Sequence, residues 1–230
     1  MFVVYEDPSI LLVNKPSGLV VNRSDTWEGD TLEDQLRKYF SLADNGIGGR
    51  AGIVHRLDKD TSGLLLIAKK EKAFEKLLSQ FKNREVEKGY FALSYGKVKP
   101  ERGVIDAPID RNPKQRRKMA VVEGGRSAVT EFVVQKYFEK GGKHFTLLEL
   151  YPKTGRTHQL RVHLAAFNHA LVGDPLYSGD KRFRRDKEWC PRLFLHAFSL
   201  RFRHPETGEF EYFEIGLPEE LLDVLEGLVV

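Results

Sequence analysis

Apolar runs rich in β-branched and aromatic residues punctuate the chain at residues 2–5, 10–13, 64–68, 90–95, 128–137, 145–151, 193–202 and 210–215, each bounded by turn-forming residues. Runs of this kind predict strands. Helical spacing is confined to fewer places. Phe74, Leu77, Leu78 and Phe81 stand at i, i+3, i+4 and i+7 and predict an amphipathic helix with one apolar stripe. Thr31 can cap a second helix through Leu32 and Leu36 toward Phe40, and Leu217-Pro218-Glu219-Glu220 opens another with proline in its first turn. A helix starting at Thr157, with that threonine as its cap, would carry Gln159 and His163 on one face and His158 and Arg161 on another. His204-Pro205-Glu206-Thr207-Gly208 reads as a hairpin turn with Gly208 at positive φ. The strands neither alternate strictly with helices nor fill the chain, so the expected class is α+β, a mixed, mainly antiparallel sheet flanked by helices. Without a repeat or a long Pro/Gly/Ser linker, residues 1–230 are expected to form a single domain.

An apolar fraction of 41% over 230 residues is that of an ordinary globular protein. Cys190 is the only cysteine, which excludes an intrachain disulfide and a four-cysteine zinc site. With no basic-then-apolar leader and no apolar run near 18 residues, a cytoplasmic monomer away from membranes is expected. The net charge of +4 shifts the odds little, but its distribution says more. Residues 111–118 read RNPKQRRK, with five cations (Arg111, Lys114, Arg116, Arg117, Lys118) and no acid, and 181–187 read KRFRRDK. Two such clusters favour a polyanionic partner.

Chemistry concentrates in two segments. Residues 52–69, GIVHRLDKDTSGLLLIAK, set a polar loop directly before a buried strand, with Asp58 flanked by His55, Arg56, Asp60, Thr61 and Ser62. The bland alternative is an Asx turn entering a strand. Residues 154–163, TGRTHQLRVH, follow the strand ending at Tyr151. His158 and His163 are five apart with no acid between them, which argues against a metal site, and the bland alternative is an amphipathic helix with solvated arginines.

Together the segments resemble the RluA-type pseudouridine synthases. HRLDKDTSGLLLIAK is similar to that family's central motif, and further landmarks fall in order: Asn14-Lys15-Pro16-Ser17-Gly18, Lys88-Gly89-Tyr90, TGRTHQLRVHLA, Val172-Gly173-Asp174-Pro175-Leu176-Tyr177 and Leu195-His196-Ala197. The resemblance runs from about Tyr5 to Leu217 and implies an RNA isomerase of the pseudouridine synthase fold that needs neither cofactor nor metal. It implies Asp58 as the catalytic aspartate, Tyr90 against the target base, Arg161 as the basic partner of the aspartate, Arg56 entering the RNA stack with His55 beside it, and Leu195 lining the pocket. The five cations of 111–118 would hold RNA phosphates. Ribosomal RNA is the favoured substrate over transfer RNA, and DNA is not expected. Many relatives carry a small basic RNA-binding domain first, whereas this chain is expected to consist of the catalytic domain alone. A non-catalytic RNA binder would have no need of Asp58, Tyr90 and Arg161 together, and an N-glycoside hydrolase would want a second carboxylate across the bond.

Overall fold

The computed structural model describes residues 2–24, 27–41 and 47–230. The chain forms two compact units, the first from Met1–Glu87 and Ala197–Ile215, the second from Lys88–His196 and Gly216–Val230. The class is α+β.

In the first unit β1 (Phe2–Glu6), β2 (Ile10–Lys15) and β3 (Ser62–Ala68) pair antiparallel in that order, and β10 (Leu195–Arg203) follows β3 and pairs antiparallel with β11 (Phe210–Glu214). Ile10, Leu12, Leu64, Leu66, Leu200 and Phe202 form one wall of a core. Helix α2 (Glu71–Asn83) lays Ala73 and Leu77 against it, with Phe74 and Phe81 alongside. Full burial of a side chain such as Phe202 contributes about 1.5–3 kcal/mol. Leu78, placed by its spacing in the same stripe, instead stands 45% exposed. The stripe is narrower than four apolar residues suggest. Helix α1 (Leu32–Tyr39) begins at Thr31 with a reciprocal capping box to Asp34. The β10–β11 turn has Gly208 at φ 75°.

The second unit is an antiparallel sheet in the order β4 (Glu87–Tyr95), β9 (Lys143–Pro152), β8 (Val129–Lys140), β5 (Arg102–Asp106). Its main core joins Leu93, Phe138, Phe145, Val172 and Phe194 to Leu221, Val224 and Leu228 of the last helix, α5 (Glu219–Glu226), and its end. Pro218 is the residue before α5, one position outside the first turn where the sequence put it. A small hairpin, β6 (Ile109–Arg111) and β7 (Met119–Val121), projects the basic loop. Its base packs with Val162 of α3 (Gln159–Ala166) and with Tyr177. Helix α4 (Asp180–Asp186) carries the second cationic cluster. It is anchored by Asp186, which accepts the Tyr95 hydroxyl and the Gly173 amide, 2.9 Å.

One cap differs from expectation. Helix α3 starts after His158 in the left-handed conformation, φ 55°, and no side chain caps it. Thr157 is exposed and sits in the preceding turn instead. The turn before the helix is held instead by Gln159, whose Oε1 accepts the Arg156 amide at 3.0 Å and the Thr154 hydroxyl at 2.7 Å.

Candidate active site

Asp58 lies in a turn held from beneath by the Asn14-Lys15-Pro16-Ser17-Gly18 segment. Lys15 is fully buried, and its ammonium donates to the carbonyls of Pro16, Leu19 and Lys59 at 2.8, 2.9 and 3.0 Å. The Gly18 amide also donates to the Lys59 carbonyl, 2.8 Å, and the Ser17 hydroxyl to that of Asp60, 2.8 Å. Thr61 N–H closes the turn on the Asp58 carbonyl at 3.1 Å. A buried cation survives only when its donors are met, and here three backbone oxygens meet them. The carbonyls after Asp58 are thereby pinned, so the carboxylate sits on a rigid support. Behind it Gly63, at φ 118°, lets β3 run against Ala197: a Cβ there would come within 2.2 Å of the Ala197 oxygen.

Of the loop's other residues, Arg56 and Lys59 are exposed, and the Lys59 ammonium lies 4.4 Å over the Trp27 ring. His55 stacks on Phe81 at 4.5 Å, and its Nε2 accepts the Leu66 amide at 2.9 Å. That hydrogen bond fixes Nε2 as the unprotonated nitrogen. The ring braces the loop against α2 and β3.

In the second unit Tyr90 is buried on β4, opposite Leu150 of β9. Lys88, two residues earlier, shares its face of the strand, and burial pushes its ammonium below the usual lysine range. Leu195 opens β10 and is buried. Helix α3 does carry two faces. Gln159 and His163 both reach the Thr130 hydroxyl, at 3.0 and 2.9 Å, and His163 also meets the Ala107 carbonyl. Desolvation lowers the His163 pKa, which favours the neutral ring. On the other face Arg161 is buried, not solvated as an amphipathic helix would have it: Nε and Nη2 donate to Asp174 at 2.8 and 2.9 Å. Asp174 Oδ1 also accepts the Leu176 and Tyr177 amides. Asp174 and Lys15 were visible in the sequence only as letters of two landmarks. Neither the 13-residue separation from Arg161 nor a lone lysine in a turn carries a periodic signal.

The basic loop is an ordered tip. Asn112 Oδ1 accepts the amides of Lys114 and Gln115, and its own amide donates to the Lys118 carbonyl. Lys114, Arg116 and Arg117 are exposed, and none of the five cations from Arg111 to Lys118 forms an ion pair with a described residue. Among the described residues no group of His, Cys, Asp and Glu could hold a metal ion, and no helix is long and apolar enough to cross a membrane.

Residues 9–166 match the family model described as RNA pseudouridylate synthase. An uncharacterized RNA pseudouridine synthase of Bacillus subtilis is 42% identical over 98% of the chain and 72% of its own length. The ribosomal large subunit pseudouridine synthase D of Nitrosomonas europaea is 40% identical over 98% of the chain and 64% of its own, and that of Escherichia coli 38% over 97% and 69%. Among solved structures, the human RNA pseudouridylate synthase domain containing 1 is similar with a TM-score of 0.76 and 34% identity, covering 94% of this chain and 83% of that one.

Proposed function

The chain belongs to the RNA pseudouridylate synthase family and is an RNA pseudouridine synthase; from that premise we propose that Asp58 is its catalytic carboxylate, acting with Tyr90 and Arg161, and that its substrate is large-subunit ribosomal RNA. The observation that supports the first part is the Asp58 turn itself, a half-buried carboxylate on a loop pinned by a buried lysine, in the family's central motif. The names of the Nitrosomonas and Escherichia relatives support the second.

In the reaction the bond from C1′ to N1 breaks, the freed uracil turns, C5 bonds to C1′, and the C5 proton is lost while N1 gains one. No electrons are exchanged with an outside agent. Asp58 acts as nucleophile or as base toward the ribose. Tyr90 supplies a flat ring for the base and a hydroxyl for the late proton transfer, and Arg161 orients the carboxylate. Arg56 fills the stack vacated by the flipped uridine, whose extrusion costs about a few kcal/mol, and Leu195 lines the pocket. Arg111, Lys114, Arg116, Arg117 and Lys118 hold phosphates. In this reading residues 1–230 work together as one catalytic domain, in the cytoplasm and as a monomer.

The test is pseudouridine mapping of unmodified large-subunit ribosomal and transfer RNA treated with wild type and with Asp58→Asn. Sites made in ribosomal RNA by the wild type alone are expected. Equal activity of Asp58→Asn overturns the carboxylate, sites confined to transfer RNA overturn the substrate, and released uracil without pseudouridine overturns the reaction.

A further inference from the structure

Tyr177 stands where the basic hairpin meets the helix that carries Arg161. The Met119 amide, first in β7 and next to Lys118, donates to the Tyr177 hydroxyl at 2.9 Å, and that oxygen lies 2.9 Å from His158 Nδ1. The hydroxyl is therefore shared between the hairpin backbone and the His158 ring, whichever of the oxygen and Nδ1 carries the proton between them. His158 is the left-handed residue at which α3 begins, three positions before Arg161. The Arg161 guanidinium lies 5.2 Å over the Tyr177 ring. Its fork is taken by Asp174, whose Oδ1 also accepts the Tyr177 amide at 3.0 Å. The tyrosine thus touches both the hairpin and the start of the helix through its hydroxyl, and the arginine through its ring. Met119 and Tyr177 also pack with Val162.

From this circuit we propose that Tyr177 is a positioning residue that couples the basic hairpin to Arg161, so that RNA held by the hairpin reinforces the setting of the arginine. The proposal rests on the reading of Arg161 given above. The tip of the hairpin presents Lys114, Arg116 and Arg117 to solvent without ion-pair partners among the described residues, and directly where that loop rejoins β7 the Met119 amide is held on the Tyr177 hydroxyl. A shift of β7 by a fraction of an ångström moves the hydroxyl, and with it both the backbone kink at His158 and the ring beneath Arg161. Phosphate contacts at the tip carry no sequence information by themselves. A coupled tip lets them contribute to turnover as well as to binding.

Tyr177→Phe keeps the ring and removes the oxygen. Its kcat on large-subunit ribosomal RNA is expected to fall about tenfold, within the usual range of coupling between sites, with RNA affinity and its salt dependence within twofold of wild type. Arg116→Ala/Arg117→Ala is expected to weaken affinity and also to lower kcat at saturating RNA, and its combination with Tyr177→Phe to lose less in kcat than the product of the separate losses. His158→Gly, which accepts the left-handed backbone, is expected to match Tyr177→Phe and to add nothing to it. Amide hydrogen exchange supplies the readout independent of chemistry: RNA binding should slow exchange in Val162–Ala166 of wild type and not of Tyr177→Phe. An unchanged kcat, an equal loss of affinity, additive losses, or RNA-induced protection retained in Tyr177→Phe overturns the proposal. Arg161→Lys separates the two readings: full activity of that variant sinks Arg161 as an active-site residue while leaving the exchange result to decide the coupling.

Discussion

Replacing Asp174 by alanine should be the most damaging single polar substitution in the second unit. The Arg161 and Asp174 side chains are 3% and 0% exposed, and the carboxylate accepts two charge-assisted bonds from the guanidinium and two from backbone amides. Removing it takes from a buried cation the carboxylate that holds its Nε and Nη2 and leaves the Leu176 and Tyr177 amides short of an acceptor. Breaking a buried pair from one side costs about 3–5 kcal/mol, against a total stability of about 5–15 kcal/mol. For a chain of this size each kcal/mol moves the melting temperature by about 2–4 °C, so a fall of roughly 6–20 °C is expected. Arg161→Met/Asp174→Leu, which removes both charges, should recover most of the loss, because two well-packed apolar groups leave no charge to solvate. Thermal unfolding followed by circular dichroism at pH 7 measures all three proteins. Since buried charges are screened little by salt, the deficit of Asp174→Ala should persist in 1 M salt. A drop below about 3 °C, or one that disappears in salt, would falsify the view of this pair as a buried strut.

Three further outcomes follow from the geometry. Gly63→Ala should yield little folded protein or lose more than about 3 kcal/mol in urea unfolding, because its Cβ meets the Ala197 oxygen at 2.2 Å on a backbone at φ 118°; a variant with wild-type stability contradicts that close approach. Lys15→Met should cost about 2–4 kcal/mol by leaving the Pro16, Leu19 and Lys59 carbonyls without their donor, and should lower kcat more than it raises KM, with steady-state kinetics deciding; an equal rise in KM alone counts against the turn-pinning role. Burial lowers the His196 pKa from 6.5 to about 4, so the folded state binds fewer protons than the unfolded one between those values, and stability complete above pH 6.5 is lost as pH falls toward 4, by up to about 3 kcal/mol. His163 shifts the same way. Urea midpoints at pH 7 and pH 4.5 should separate further for wild type than for His196→Gln, and equal separations would exclude this histidine.

Most strands legible in the sequence carry the cores, since Leu64, Leu66, Phe145 and Phe202 need long apolar runs to bury them, and β1 was legible from its β-branched and aromatic composition although it is exposed. Strand β5, RGVID, buries only Ile105, and β6 and β7 have three residues each, too short for any period. The basic segment 111–118 therefore reads as a loop when it is the tip of a hairpin. Helix α4 has Phe183 as its single apolar residue and is held by the buried Asp186, an anchor that charge patterning hides among cations. The paired faces of α3 were visible in its 3.6-residue spacing, but its cap was not: a left-handed His158 has no signature in composition. Likewise the motif marked Asp58 as special without showing why its turn is stiff, because the stiffness comes from Lys15, 43 positions earlier.

The first unit is interrupted in sequence, since its core needs Leu200 and Phe202 to stand beside Leu64 and Leu66. On the ribosome, residues 1–87 emerge and then wait while the whole of Lys88–His196 is made before their missing strands arrive. At about 5–20 residues per second, the 109 residues of Lys88–His196 take roughly 5–22 s. During that interval α2 can already cover the face of β2 and β3, but the edge of β3 has no β10 beside it and the core lacks Leu200 and Phe202, and any pause in translation between Glu87 and Ile215 prolongs that half-built state.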